Sequence, residues 1–281
     1  MKKNNFYAVV VIYNTNIKES TTLNNLQEIT CYEIKKIVVD NSTHDMENEI
    51  ECRKKNLIYI SMNGNAGLSR AYNKALDYIK DEDAIVIWFD DDTNVTQEYF
   101  DVLNMEANKN ADVDIFAPII QGQDGKFWSP NEYHYLKNKQ LKRINQNINN
   151  NCFNAINSCT AVRISVYKNY RYTEKLFLDQ VDHQFFEDQR HFGRKFKKMD
   201  IIIQHNFSTK SKMENIEKVK TRYAIMIPDF LFFCKKSSMR YLLGWIKIAG
   251  WGIKESIKYK KPEFLFWCLR TAKIESKKKR I

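Results

Sequence analysis

The sequence predicts an α/β fold, a mostly parallel central sheet flanked by helices, and three observations carry that expectation. Short continuous apolar runs of the kind that form buried strands recur at Phe6 to Tyr13, Glu33 to Val39, Leu57 to Ile60 and Ala84 to Phe89. Segments with helical spacing alternate with them. Two runs end in polar clusters, Asp40-Asn41-Ser42-Thr43 and Asp90-Asp91-Asp92, and ligands of open α/β sheets gather beyond the carboxyl ends of strands.

Taken in order, the first strand leads into Ile17 to Ile29, where Leu23 and Leu26 share one side and Lys18, Glu19 and Asn25 lie elsewhere. With the second strand this makes a βαβ unit. The third strand passes through Asn63-Gly64-Asn65-Ala66-Gly67 into a helix from Leu68 to Ile79, and the fourth ends at the three aspartates. A helix from Gln97 to Asn108 and a strand from Val113 to Pro118 complete the alternation. Gln121 to Asn151 is polar, with Gly122, Gly125 and an Asn-rich end, and reads as a mobile loop region. Phe153 to Val162 is strand-like, Lys175 to Phe192 a turn plus helix, and Phe196 to Ile203 a strand followed by His205.

A chain of 281 residues with 43% hydrophobic content can bury one sizeable core, or one domain with an appendage. Six cysteines without a Cys-x-x-Cys pair, and no apolar signal after Met1-Lys2-Lys3, set a cytosolic, reduced expectation. The net charge of +11 is not spread evenly: residues 230–281 carry 14 Lys or Arg against Glu255, Glu263 and Glu275, and the preceding 229 residues balance at 31 of each sign. This divides the chain into a neutral body, 1–229, and a basic tail, 230–281. Without a phosphate-tracking groove to go with it, the charge does not indicate nucleic acid.

The tail holds Trp245, Trp251 and Trp267, but lysines interrupt any stretch of the about 20 apolar residues that a membrane span needs. On a helical projection Lys247, Lys254 and Lys258 cluster opposite Trp245, Ile246, Ala249, Ile253 and Ile257. That is an amphipathic helix suited to an anionic membrane surface, or to packing on the body with its lysines in water.

Alternate side chains of an extended segment share a face, so Asp90 and Asp92 can hold one divalent cation while Asp91 points elsewhere. A solvated acidic turn is the plainer alternative. Asp40 can accept from a nucleobase N–H or a ribose hydroxyl, or cap its own turn. Asn65 and Gly67 stand where a loop enters a helix, so that backbone N–H groups can meet a nucleotide. Arg70 can reach a phosphate from that helix or stay at the surface.

The ordered series Val10-Val11-Ile12-Tyr13-Asn14, Val38-Val39-Asp40-Asn41-Ser42, Asn63 through Asn73, Phe89-Asp90-Asp91-Asp92, Phe177-Leu178-Asp179-Gln180-Val181-Asp182 and His205 resembles the family 2 glycosyltransferases of the GT-A fold. Within them it is similar to the rhamnosyltransferase-like branch, over residues 6–235. The resemblance implies a nucleotide-diphospho-sugar transferase fold with a nucleotide-sugar-binding half, 1–118, and an acceptor-binding half, 119–229. It implies Mn²⁺ or Mg²⁺ at Asp90 and Asp92, with His205 matching a histidine that some members add. Donor contacts are implied at Tyr13, Asn14, Asp40, Asn65, Gly67, Arg70 and Asp91. Asp182 matches the general base that deprotonates the acceptor hydroxyl, with Asp179, Glu187 and Asp188 as neighbouring carboxylates. Two departures stand out: Ser158-Cys159 where Ser-Gly is usual, and Asp188 where an arginine is frequent.

The implied activity is metal-dependent, inverting sugar transfer in bacterial surface polysaccharide synthesis, of capsule or O-antigen. dTDP-rhamnose is the favoured donor, with UDP-galactofuranose or a UDP-hexose as alternatives, and the acceptor is a lipid-linked oligosaccharide at the inner face of the cell membrane. Two rivals remain. Nucleotidyl transfer to sugar phosphates would want a glycine- and arginine-rich loop where this chain has Tyr13-Asn14-Thr15-Asn16, and a non-catalytic scaffold would dispense with Asp90, Asp92 and Asp182.

Overall fold

Phe6–Ile12 forms β1, and the main sheet grows from it in both directions: Ile34–Asp40 (β2) pairs parallel on one side and Ile85–Phe89 (β4) parallel on the other. The computed structural model describes residues 3–205 and 215–278; Lys279 and Arg280 of the basic tail lie outside them. Ile58–Ser61 (β3) extends β2, and beyond β4 come Ala161–Arg163 (β10), Ile115–Gly122 (β5) and Phe196–His205 (β11), in the order β11-β5-β10-β4-β1-β2-β3. The β10 strand is antiparallel to both neighbours, and β11 and β5 are parallel. The α/β expectation of a mostly parallel sheet holds.

The β1 side chains alternate between the two faces. Phe6, Ala8, Val10 and Ile12 join a core with Thr21–Glu28 (α1) and Gln97–Lys109 (α4), while Tyr7 and Val9 join one with Leu68–Tyr78 (α3) and Val181–His191 (α5). Ile12 pairs with Asp40, and Val10 with Phe89, so Tyr13, Asp40 and Asp90 emerge together at one carboxyl edge. Since β2 and β4 leave β1 on opposite sides, that edge is where such sheets open a crevice.

The structure departs from the sequence reading in three places. Asn48–Lys54 (α2) is a helix that apolar spacing did not announce, because it buries only Asn48, Glu51 and Cys52. The segment read as a loop, Gln121 to Asn151, carries Phe127–Ser129 (β6) against β5, with Asn131–His134 (β7) and Lys137–Gln140 (β8). Those last two strands and Phe153–Asn154 (β9) form a second antiparallel sheet. The single strand expected from Phe153 to Val162 is two, β9 and β10. Cys159, at φ 61°, turns the chain between them in a conformation that favours glycine, which accounts for the usual Ser-Gly at this point.

The tail is built of Ile216–Cys234 (α6), Ser238–Tyr259 (α7) and Glu263–Lys277 (α8), and α6 runs through residue 229 without a break. The three helices share a third core around Ile227, Phe230, Phe233, Ile248, Phe264 and Cys268, which Tyr133 and Leu136 of the small sheet complete. Close packing explains two glycines: a Cβ at Gly244 would stand 2.9 Å from Cys234 Sγ, and one at Gly252 2.9 Å from Leu265. Of the three lysines expected on one open face, toward a membrane surface or water, Lys247 instead donates to the Leu136 carbonyl at 2.8 Å. No helix among the described residues is long and apolar enough to cross a membrane.

Candidate active site

The Asp90–Asp92 turn is pinned from the start of α1. Ser20 and Thr22 donate to the Asp91 carbonyl at 2.8 and 3.2 Å, and the Thr22 hydroxyl donates to the Asp90 carbonyl. The Thr93 N–H closes the turn onto the Thr22 hydroxyl at 2.8 Å. With the backbone held in this way, Asp90 and Asp92 keep side chains 49% and 48% exposed toward the crevice. His205, at the end of β11 and itself buried, brings its Nε2 to 3.8 Å from Asp90 and its Nδ1 to 4.0 Å from Asp92. One ligand atom from each of Asp90, Asp92 and His205 lies within 4.8 Å of the others.

Burial pushes the Asp90 carboxyl up to about 6, with His205 opposing and Asp92 and Asp91 adding to the rise. Asp91 is raised as well, by burial first. Two carboxyls held above their ordinary range, with the Asp92 carboxylate and an imidazole beside them, are a donor set that a divalent cation would relieve. The residues fit such an ion.

These groups line a cavity of about 610 Å³ together with Tyr13, Tyr72, Ser158, Asp179, Asp182, His183 and Arg222. Asp182, in the first turn of α5, lines the same cavity. The buried Tyr72 hydroxyl is pushed well above its usual range by burial first, and then by both Asp90 and Asp182. Beside Asp182, burial holds the His183 imidazole below its ordinary range. His183 Nδ1 is 3.1 Å from Asn154 Oδ1, and its ring packs at 4.8 Å on Tyr133, so the small sheet reaches the site.

The other residues singled out from sequence lie elsewhere. Asp40 lines a neighbouring cavity of about 510 Å³ with Ser42, Tyr59, Asn63 and Gly64. Its carboxylate already accepts from the Ser42 N–H, the Asn48 amide and the Tyr59 hydroxyl. Asn14 accepts from the Thr43 N–H, and Asn65 from the Asn41 amide and the Gly67 N–H, so both serve the loop framework. Gly67 is required by packing: at φ +90°, a Cβ there would stand 2.8 Å from Phe177. Arg70 is exposed and pairs with Glu174 at 3.1 Å, away from both cavities.

Sequence reasoning missed the supports of Asp182. The Asp229 carboxylate accepts from the N–H groups of Phe177, Leu178 and Asp179, at 2.8 to 3.1 Å. Arg222 grips both oxygens of Asp179. Further along α5, Glu187 pairs with Arg240 at 2.9 Å, and Asp188 accepts from Gln184, Tyr170 and Lys236. These partners are 43 to 53 residues distant in sequence, except for Gln184 and Tyr170. No local pattern could have exposed them.

A sheet of this order, with carboxylates and a histidine gathered past its strand ends, defines a nucleotide-diphospho-sugar transferase of the GT-A type. The profile "Glycosyl transferase family 2" matches residues 7–171, more than half of the chain, and the chain belongs to that family: it is a glycosyltransferase. No curated protein matches it in sequence. Among solved structures it resembles the mannosyltransferase PcManGT of Pyrobaculum calidifontis, in complex with GDP-Man and Mn²⁺, at TM-score 0.56 and 13% identity over 98% of this chain and 74% of that one. It also resembles S. aureus TarS 1-349 in complex with UDP (TM-score 0.52, 17% identity, 96% and 88% covered). A third likeness is to glucosyl-3-phosphoglycerate synthase of Mycobacterium tuberculosis with Mn²⁺, UDP-Glc and phosphoglyceric acid (TM-score 0.53, 10% identity, 86% and 79% covered). At these identities the likeness is one of fold.

Proposed function

We propose that this chain is a metal-dependent, inverting glycosyltransferase that moves a sugar from a nucleotide-diphosphate donor to a lipid-linked oligosaccharide at the inner face of a bacterial membrane. dTDP-rhamnose is the favoured donor, from the resemblance to the rhamnosyltransferase-like branch, ahead of UDP-galactofuranose or a UDP-hexose. The observation that carries the reading is one cavity lined both by the Asp90, Asp92 and His205 group and by Asp182 from the first turn of α5. Asp90, Asp92 and His205 would hold Mn²⁺ or Mg²⁺, which when bound neutralises charge on the departing diphosphate.

Asp182 takes the proton of the acceptor hydroxyl as its oxygen bonds to the anomeric carbon; the bond from that carbon to the diphosphate oxygen breaks, and the centre inverts. Asp40 and the cavity around Tyr59 and Asn63 suit a base and ribose, and Tyr13 and Asp91 line the cavity that holds Asp90 and Asp92. The small sheet of β7 to β9, which brings Tyr133 and Asn154 to His183, suits the acceptor side.

Membrane contact is supported by α7. Met239, Leu242, Ile246, Ile253 and Ile257 are 49–73% exposed and recur at intervals of three, four and seven residues, one stripe along the helix. Lys254 borders that stripe. An apolar stripe edged by lysine suits an anionic bilayer surface.

A melting panel of dTDP-rhamnose, UDP-galactofuranose, UDP-glucose, UDP-N-acetylglucosamine and GDP-mannose, each with Mn²⁺, tests the donor. A ligand at a hundred times its Kd stabilises the folded state by about 2.7 kcal/mol, a shift of several degrees. One sugar nucleotide standing clear of the others supports the proposal, and no shift from any of them overturns it.

A further inference from the structure

We propose that Asp229 and Arg222, both on α6, are positioning residues: they fix the segment Phe177–Gln180 and so set where α5 presents Asp182. The inference rests on the reading of Asp182 as the base. Its ground is a joint held at three points, by two residues of α6 and by the start of α3. Asp229 is 1% exposed and takes three successive backbone N–H groups, those of Phe177, Leu178 and Asp179. The Leu68 N–H at the start of α3 donates to the Phe177 carbonyl at 2.6 Å, and Gly67 leaves room for the Phe177 ring. Arg222 holds the Asp179 side chain through both of its oxygens.

With three consecutive amides bound to one carboxylate, the intervening dihedral angles have little freedom. Gln180 then turns the chain at φ 64°, and α5 begins with Asp182 in its first turn. Two residues separate the clamp at Asp179 from the base, so a rotated peptide at the clamp carries directly into the position of the carboxylate.

A joint between a helix and a loop can be made more cheaply from apolar side chains, since a buried carboxylate loses its hydration. Burial does raise the Asp229 carboxyl, against the three N–H groups that favour its charge. What the carboxylate adds is direction: three hydrogen bonds orient a backbone that apolar contact would leave free to slide. Both residues stand on the helix that opens the C-terminal three-helix unit, and Glu187 and Arg240 tie the far part of α5 to the same unit. The base-bearing helix is therefore held just before its first turn and again at Glu187 by the C-terminal helices.

The test compares Asp229→Asn, Arg222→Gln and Asp182→Asn in the full chain. It uses three readouts: amide exchange of the peptide covering residues 176–182, affinity with Mn²⁺ for the nucleoside diphosphate (UDP, dTDP or GDP, written UDP below) of the donor selected by the melting panel, and turnover of that donor. In Asp229→Asn the exchange of these amides should rise about tenfold or more, and turnover should fall on the order of tenfold to a hundredfold, as a displacement near 1 Å predicts, at unchanged UDP affinity. Wild-type exchange and turnover would overturn the inference. Arg222→Gln, at a side chain 24% exposed, tests the same clamp if the buried substitution does not fold. Lost turnover at unchanged UDP affinity supports the clamp, whereas lost UDP affinity at full turnover makes Arg222 a nucleotide contact and overturns its positioning role. Retained turnover in Asp182→Asn shows that the base assignment itself is wrong. Turnover lost there but kept in Asp229→Asn removes this inference alone.

Discussion

Replacing Arg240 by methionine removes one charge from a pair that joins the C-terminal helices to the helix carrying Asp182. Arg240 Nη1 and Nη2 lie 2.9 and 3.1 Å from the two Glu187 oxygens, and the side chains are 14% and 9% exposed. Methionine keeps the stem where the guanidinium stacked, 4.8 Å above Phe233. Removing one partner of a buried pair costs about 3–5 kcal/mol, because the other charge stays buried without its partner. Lys236, 3.3 Å from Glu187, still compensates in part and lowers the expected loss to about 2–3 kcal/mol. At about 2–4 °C per kcal/mol for a chain of this size, Tm should fall by roughly 5–10 °C.

The pH dependence fixes the sign. Burial raises the Glu187 carboxyl, but Arg240 and Lys236 outweigh it and hold the group below the ordinary carboxylate range. A depressed folded pKa contributes stability that is complete above the unfolded value, about 4.3, and is lost as pH falls through the folded one. The gap between wild type and Arg240→Met should therefore be level from about pH 5 to 8 and close below about pH 4. Urea unfolding across that range, with Glu187→Gln completing a double-mutant cycle, measures it. A loss under about 0.5 kcal/mol at neutral pH, or a gap that widens in acid, refutes the reasoning.

Asp182→Asn should lower turnover by about 10²–10⁴ while UDP affinity with Mn²⁺ stays put; equal turnover in the variant would rule out a base at this position. Gly67→Ala, at φ +90° and with its new Cβ 2.8 Å from Phe177, should lose about 1–3 kcal/mol in a melt and some turnover with it; a neutral result would mean that Phe177 yields freely. Leu242→Glu with Ile246→Glu should release the protein from anionic vesicles, since each apolar side chain inserted contributes about 1.5–3 kcal/mol, and undiminished sedimentation would place the contact elsewhere. These substitutions are cleaner than deletion from Arg240 onward, which also strips Glu187 of its partner.

The strands of the main sheet were legible because Phe6–Ile12, Ile85–Phe89 and the second half of Ile34–Asp40, from Ile37 on, are buried on both faces and so read as apolar runs. The small sheet was not. Lys137–Gln140 exposes three of its four residues and carries no apolar alternation, so β8 looks like loop. In α2 the one strongly apolar residue, Ile50, is 55% exposed, which scrambles the helical signal. The metal-capable group was half local and half not. Asp90 and Asp92 announce themselves in the sequence, whereas His205 joins them only because β11 pairs beside β5. Nothing near Asp229 or Arg222 points to the segment 177–179, since their hydrogen bonds cross 43 to 52 residues. The family resemblance could supply Asp182 as a position but not the joint that aims it. The charge pattern of α7 was legible in outline; Lys247 departs from it because its carbonyl partner, Leu136, sits in the turn between β7 and β8, which the sequence concealed.

The central claim is that Asp90 and Asp92 hold a divalent cation in the cavity shared with Asp182. Titration of Mn²⁺ followed by electron paramagnetic resonance, with UDP, dTDP and GDP each present in turn, measures it directly on the wild type and on Asp90→Asn with Asp92→Asn. The account predicts nucleotide-dependent uptake of the ion by the wild type and none by the double variant at the same concentrations. Equal uptake by the two proteins would contradict it.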